Sequence, residues 1–343
     1  MNWEDYKSAF TSAAVVKGFS ADFIEKCLEY AQHLFNEGFP IIYDINHFSL
    51  LVGYKLEYVI ASAYGGKAFY REFKIRKKSG GERVIHEPLP SLKEIQRWIL
   101  DNILYVYQPS RFAKGFVPKL SIKDNARLHR AQPKVLSLDL KDFFPTVKRF
   151  RVYGIFRSFG YGQPVANILA RLCTLKDVLP QGAPTSPAIT NLICRSLDKR
   201  LAGFALKNKL RYTRYADDIT FSGDFKERSV ISLVRQVVED EGFSLNESKT
   251  RLMEPHQRQE VTGIVVNQYL QAPREMRRNL RQAVHYIDRF GLNAHLIQIG
   301  EARSNYGKHL IGIANFILHI NPKDRDALRA LEVLRPQIDE DEE

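Results

Sequence analysis

The chain has 343 residues, of which 44% are apolar and 26% charged, the usual range for a globular protein and long enough for two or three subdomains around a shared core. Lys and Arg total 51 against 39 Asp and Glu, a formal net charge of +12, and such an excess favours a polyanionic partner because each neutralised phosphate releases a counterion. No run of about 18 or more apolar residues, the length of a membrane-spanning candidate, occurs. The start, Met1 to Asp5, carries no apolar signal stretch, so a cytoplasmic protein is expected. Cys27, Cys173 and Cys194 are far apart with no CxxC spacing, which predicts reduced thiols rather than a zinc site or disulfide framework.

Taken in chain order, residues up to about 60 read as helical. Ser20 is placed as an N-cap ahead of Ile24, Cys27, Leu28 and Ala31 at helical spacing, and Gly38 as the stop. Phe69 to Ile75 alternates like a strand, Ser79-Gly80-Gly81-Glu82 is a turn signal, and Arg83 to His86 reads as the returning strand. Leu92, Ile95, Ile99 and Leu100 mark an amphipathic helix. Val135 to Leu140 is a short apolar strand, expected to be central and covered on both faces. Phe150 to Leu175 reads as mostly helical, Pro180 to Pro187 as a loop, and Ala188 to Leu201 as a helix. Leu210 to Phe221 reads as two strands joined by a tight turn at Ala216-Asp217-Asp218. Lys226 to Glu241 is a further helix stopped by Gly242, Val261 to Asn267 a short strand, and the pattern is helical again from Pro273. Antiparallel hairpins without a βαβ series indicate an α+β fold. Basic residues gather in Arg71 to Arg83 and in Arg274 to Arg281, and acidic ones in Asp339 to Glu343.

Two adjacent carboxylates in a tight turn, Asp217 and Asp218, can approach one point, which neighbours in a straight strand cannot. Their repulsion is relieved by a divalent cation. Asp139, near the end of an apolar strand where a lone buried charge is costly, is the natural third ligand. An all-oxygen set of this kind suits magnesium. Two ions roughly 3.5–4 Å apart would stabilise both the attacking and the leaving oxygen of a phosphoryl transfer. Taken alone, the same dipeptide is more often the cap of a solvated turn; its context decides.

Tyr215-Ala216-Asp217-Asp218 resembles the YxDD signature of reverse transcriptases. Asp139-Leu140-Lys141-Asp142-Phe143-Phe144-Pro145 resembles their first palm motif, and Leu179-Pro180-Gln181-Gly182 through Ser186-Pro187 the LPQG…SP motif that follows it. Asn125-Ala126-Arg127-Leu128-His129 and Val261-Thr262-Gly263 are similar to the NAxxH and VTG motifs of the retron branch. The likeness runs from about residue 55 to 320.

The resemblance implies a right-hand polymerase fold. Residues 1–60 would form an N-terminal helical segment, 61–134 the fingers, 135–268 the palm with a helical fingers insertion at about 150–178, and 269–343 the thumb and acidic tail. It implies metal binding by Asp139, Asp217, Asp218 and the Leu140 carbonyl, and nucleotide contacts from Lys77, Arg83, Lys141, Asp142, Phe143, Phe144, Gln181 and Lys249. Phe144 stands where the family places its sugar-selecting ring, with Phe143 or Phe144 also expected in the core. Lys249, with a modestly lowered pKa, could protonate departing pyrophosphate. Asn125 and His129, four apart on one helical face, would help bind RNA. Val261, Thr262 and Gly263 would hold the primer, and Arg274, Arg277, Arg278 and Arg281 would present a basic face to phosphates.

The activity so implied is templated copying of a cognate structured noncoding RNA that is both primer and template, from dNTPs with two Mg2+ ions. The product would be RNA-linked single-stranded DNA, and the setting antiphage defence beside an effector protein encoded nearby, with no membrane partner. A non-retron reverse transcriptase (group II intron-like or diversity-generating) and an RNA-binding scaffold partnering an effector are the competing readings.

Overall fold

A computed structural model describes residues 2–76, 80–303 and 305–339. Four helices come first: α1 (Trp3–Val16), α2 (Ala21–Asn36), α3 (Ile45–Val52) and α4 (Leu56–Tyr64). The hairpin β1 (Tyr70–Arg76) and β2 (Glu82–Pro88) follows, then α5 (Pro90–Ile99), α6 (Ile122–Arg127), β3 (Lys134–Asp139), α7 (Phe143–Thr146), α8 (Arg149–Ser158), α9 (Gln163–Leu172), α10 (Ser186–Ile193) and α11 (Arg195–Lys207). The strands β4 (Arg211–Tyr215) and β5 (Asp218–Gly223) precede α12 (Glu227–Asp240), β6 (Arg251–Met253), β7 (Glu260–Val261) and β8 (Ile264–Val265). The chain ends in α13 (Arg274–Phe290), α14 (Leu292–Ile299), α15 (Tyr306–Ile320) and α16 (Arg325–Asp339). No described helix is long and apolar enough to cross a membrane.

Local chemistry sets many of these boundaries. The Ser20 hydroxyl accepts from the Phe23 N–H at 3.3 Å and starts α2 as expected. The Asp44 carboxylate accepts from His47 N–H at 2.7 Å and starts α3. Pro90 and Pro164 occupy first turns, where a missing N–H costs nothing. The helix expected from Ala188 already begins at Ser186, with Pro187 in its first turn, and Cys194 divides it into α10 and α11.

The chain divides into two compact units. The first comprises Met1–Val117, Leu140–Arg200 and Arg235–Leu245. Its helical core gathers on α9, which buries Val165, Ala166, Ile168, Leu169 and Leu172 and packs on α3, α4, α5 and α8. Buried Gln96 of α5 donates to the Leu172 carbonyl at 2.7 Å, satisfying an orphan at the end of α9.

The second unit comprises Pro118–Asp139, Leu201–Val234 and Asn246–Glu343. It holds an antiparallel sheet of order β4-β5-β3-β6. Val135 and Leu136 point to opposite faces of β3, and both are fully buried, so this interior strand is covered on both sides. Val135 and Met253 of the sheet share one core with Ile264, Leu280, Val284, Ile287, Leu310, Ile317 and Leu334. The strand expected over 261–267 is instead the two-residue strands β7 and β8, turned by Thr262 at φ 49° and Gly263 at φ 82°. So short a hairpin leaves no periodicity to read.

Candidate active site

The β4–β5 hairpin joins Tyr215 to Asp218 through a two-residue turn, Ala216-Asp217. Ala216 has φ 57°, a left-handed conformation that costs a non-glycine residue roughly 1–2 kcal/mol. The fully buried Arg214 donates from Nη1 to the Ala216 carbonyl at 3.0 Å and so braces that turn. Across the sheet, β5 pairs with β3 in the register Asp139↔Asp218. An aspartate from the interior strand and the pair at the turn are thereby brought side by side.

The electrostatics follow from that crowding. Burial, then the charges of Asp217 and Asp139, push the Asp218 carboxyl up to about 7, with Lys249 opposing. Lys249 Nζ donates to both Asp139 oxygens, at 3.0 and 2.9 Å. Its ammonium is held above its ordinary value, first by that hydrogen bond, with added attraction from Asp217 and Asp218. This corrects the expectation of a lowered Lys249 pKa: three carboxylates outweigh the burial that would lower it. Asn246 Nδ2 also donates to Asp139 Oδ1 at 3.1 Å, and the Asn246 N–H to the Asp139 carbonyl at 2.8 Å.

Among the described residues no group of three or more His, Cys, Asp or Glu is placed so that it could hold a metal ion. The Asp139 carboxylate faces the Lys249 ammonium at 2.9 Å. The donor set itself is all carboxylate and half-buried or buried, which fits a hard divalent ion.

Arg83, Lys141, Asp142, Phe143, Phe144 and Gln181 belong to the first unit. Arg83 is exposed on β2. Gln181 is held against that strand, its carbonyl accepting from His86 N–H at 2.7 Å. Gly182 makes the approach feasible: at φ 123°, a Cβ there would stand 2.8 Å from the His86 carbonyl oxygen. Phe143 is the core ring, 5.7 Å from Phe243, while Phe144 is half-exposed and 6.3 Å from Phe116. Leu140 forms an isolated bridge with Leu245. The Lys141 amide donates to the Ser244 carbonyl at 2.8 Å, so its exposed side chain, not its amide, is open to a ligand. Asp142 adopts φ 46°, and its carbonyl accepts from Thr146. Lys77 lies outside the described residues.

In the second unit, α6 ends at Arg127, so His129 does not share a helical face with Asn125. Both are fully buried. His129 bonds Ser222 Oγ through Nδ1 and Thr213 Oγ1 through Nε2, each at 2.7 Å. Burial, with the charge of Arg211, pushes its pKa down to about 3, so the ring is neutral. Val261 is buried, Thr262 half-buried and Gly263 exposed at the β7–β8 turn. On α13, Arg274 and Arg278 are exposed. Arg277 pairs instead with Asp324 at 2.7 Å and Asp326 at 3.5 Å, and Arg281 with Asp326 at 3.5 Å. The basic face is therefore half committed to internal pairing.

Sequence reasoning passed over Arg214, Asn246, Thr213 and Ser222. Arg214 directly precedes the Tyr215-Ala216-Asp217-Asp218 run, and Asn246 sits three residues before Lys249, so adjacency was the available signal.

Residues 75–272 match the reverse transcriptase (RNA-dependent DNA polymerase) family. The chain is 33% identical over 310 residues to the Retron Ec86 reverse transcriptase of Escherichia coli, covering 88% of this chain and 93% of that protein. It is 40% identical over 284 residues to the Retron Mx65 reverse transcriptase of Myxococcus xanthus, covering 76% of this chain and 63% of that one. With the Retron Mx162 reverse transcriptase of Myxococcus xanthus it shares 38% over 252 residues, 63% of this chain and 52% of the relative.

Proposed function

This chain belongs to the retron-type reverse transcriptases of bacteria, and on that premise we propose that it copies a cognate structured noncoding RNA into single-stranded DNA that stays joined to the RNA. The observation that carries the proposal is the Asp139↔Asp218 register with Asp217 in the adjoining turn. Asp139, Asp217 and Asp218 would hold two Mg2+ ions. Bound there, the ions would supply charge stabilisation to the attacking and leaving oxygens of nucleotidyl transfer. The chain's own residues do the rest. Arg214 fixes the turn, and Asn246 and Lys249 orient the Asp139 carboxylate.

Motif resemblance supports the remaining roles. Arg83, Lys77, Lys141, Asp142 and Gln181 contact the incoming dNTP, and Phe144 excludes a ribose 2′-OH by its bulk. Phe143 supports Phe144 from the core. Val261, Thr262 and Gly263 present a backbone turn to the RNA or primer. Arg274 and Arg278 bind phosphates, whereas Arg277 and Arg281 order the helices that carry them. The fingers (61–134), palm (135–268) and thumb (from 269) assignment is part of the same proposal, as is a place in antiphage defence beside an effector protein.

The test is to express the chain with its genomic neighbourhood, extract nucleic acid, and treat it with ribonuclease. A short DNA whose end carries a residual ribonucleotide branch is the expected product. DNA with no RNA linkage would leave a reverse transcriptase of another type, and the absence of any new DNA would leave the RNA-binding scaffold.

A further inference from the structure

His129 is fully buried and does not face a surface on which RNA could lie. Its two ring nitrogens reach different strands of one hairpin: Thr213 lies on β4 and Ser222 on β5. The register Thr213↔Thr220 and Arg211↔Ser222 makes Thr213 and Ser222 diagonal neighbours on one face. Thr213 stands four residues before Asp217, and Ser222 four residues after Asp218. A single imidazole therefore ties together both arms of the hairpin whose tip carries the two acids. All three side chains are fully buried. An apolar trio would fill the same space without desolvating polar groups, so the network contributes geometry rather than bulk stability. A neutral imidazole has one donor and one acceptor nitrogen, which fixes the direction of both bonds and hence the ring's orientation.

The other end of the same segment is also anchored. The Thr262 hydroxyl, in the β7–β8 turn, donates to the Ile122 carbonyl in the first turn of α6 at 3.3 Å. Asn125 Nδ2 reaches the same hydroxyl at 3.5 Å. Helix α6 packs on β4, β7 and β8. The short segment from Ile122 to His129 thus spans from the Thr262-Gly263 turn to the acid-bearing hairpin.

We propose that His129 is a positioning residue that sets the pitch of the β4–β5 hairpin, and through it the placement of Asp217 and Asp218, with Asn125 and Thr262 anchoring the segment from which it projects. This rests on the reading of Asp139, Asp217 and Asp218 as the polymerisation centre. The segment acts as a strut: its fully buried imidazole holds the hairpin at the angle the chemistry needs.

The test compares Thr213→Val, His129→Leu and the triple variant His129→Leu/Thr213→Val/Ser222→Ala with wild type and Asp217→Asn. Thermal melting, single-turnover dNTP incorporation on the cognate RNA, RNA affinity and the half-saturating Mg2+ concentration are read for each. Binding of Mn2+, standing for Mg2+, is followed separately by electron paramagnetic resonance. Replacing every partner with apolar groups leaves no buried polar atom unpaired, so the triple variant should melt near wild type. Its incorporation rate should nevertheless fall about 10- to 100-fold, the scale expected when reacting groups are misplaced by about 1 Å. Its Mg2+ half-saturation should rise and its Mn2+ binding weaken, with RNA affinity unchanged. A folded triple variant with wild-type rate and wild-type Mg2+ dependence overturns the proposal. If the triple variant does not fold, the near-isosteric Thr213→Val decides by the same readouts. Should Asp217→Asn retain synthesis, the assignment of the centre fails instead, and the two failures are thereby distinguished.

Discussion

Two hairpins of this chain invite comparison. The β1–β2 hairpin pairs over seven residues, yet β1 is exposed along nearly its whole length, and its strands are joined by exposed side-chain ion pairs such as Lys74–Glu82. The β4–β5 hairpin is shorter and almost wholly buried, with Arg214 bracing its tip and His129 bridging its arms. A two-stranded ribbon in water is marginal on its own, and exposed ion pairs add little to it. The first hairpin is thus suited to adaptable electrostatic contact with a ligand. The second is suited to holding charges at fixed places, where small displacements are costly.

The largest effect is expected at the tip of the buried hairpin. Asp217→Asn keeps the size of the side chain and removes one charge. Incorporation should fall by about three orders of magnitude or more, while RNA affinity measured by filter binding stays within about twofold. Near-wild-type incorporation would deny the turn its role.

Bracing comes next in size. Arg214→Met removes the bond to the Ala216 carbonyl from a fully buried position. The melting free energy should drop by about 1.5–3 kcal/mol, the range for a hydrogen bond to a charged group. Urea denaturation with an unchanged midpoint would show the brace to be idle.

His129 sharpens the contrast through pH. In the unfolded chain its imidazole protonates near pH ~6.5, whereas burial holds the folded ring down to about 3. Between those values the unfolded state binds more protons, so folding stability falls as pH drops through the window. His129→Leu lacks this dependence. The stability gap between wild type and variant should therefore narrow from pH 7 to pH 5, and a constant gap would contradict a neutral buried ring.

The smallest effects belong to the exposed cations. Arg83→Ala should raise the KM for dNTP by up to about tenfold with little loss of fold, in keeping with a weakly supported surface hairpin. On α13, Arg278→Ala should lower the slope of log RNA affinity against log salt by up to about one unit, whereas Arg281→Ala, already engaged with Asp326, should lower it less. Equal slopes for the two variants would count against the split between free and committed arginines.

How much of this was legible in the sequence differs along the same lines. The strand ending in Asp139 and the hairpin turning at Ala216 were readable, because a short apolar run and turn chemistry are local signals. Asp139 was legible as a third acid from its place near the end of an apolar strand, but its pairing with Asp218, 79 positions away, was not. The fate of His129 was not readable. The four-residue spacing puts it on one helical face with Asn125, but α6 stops at Arg127 and the ring is captured by hydroxyls 84 and 93 positions away. Arg277 looked like a free phosphate contact because its partner Asp324 arrives from the far end of the C-terminal helices. Lys249 was expected to lose proton affinity, and gains it, because its surroundings are set by three acids from other elements. Local pattern sets elements, whereas long-range polar pairing sets what each side chain is free to do.

The most direct measurement is Mn2+ binding to the RNA-free chain, followed by electron paramagnetic resonance, for wild type, Asp139→Asn, Asp217→Asn and the exposed Asp224→Asn. Binding weakened by both substitutions at the paired strands and turn, and unchanged by Asp224→Asn, is the predicted result. Equal binding in all four proteins would contradict a shared cation at Asp139, Asp217 and Asp218.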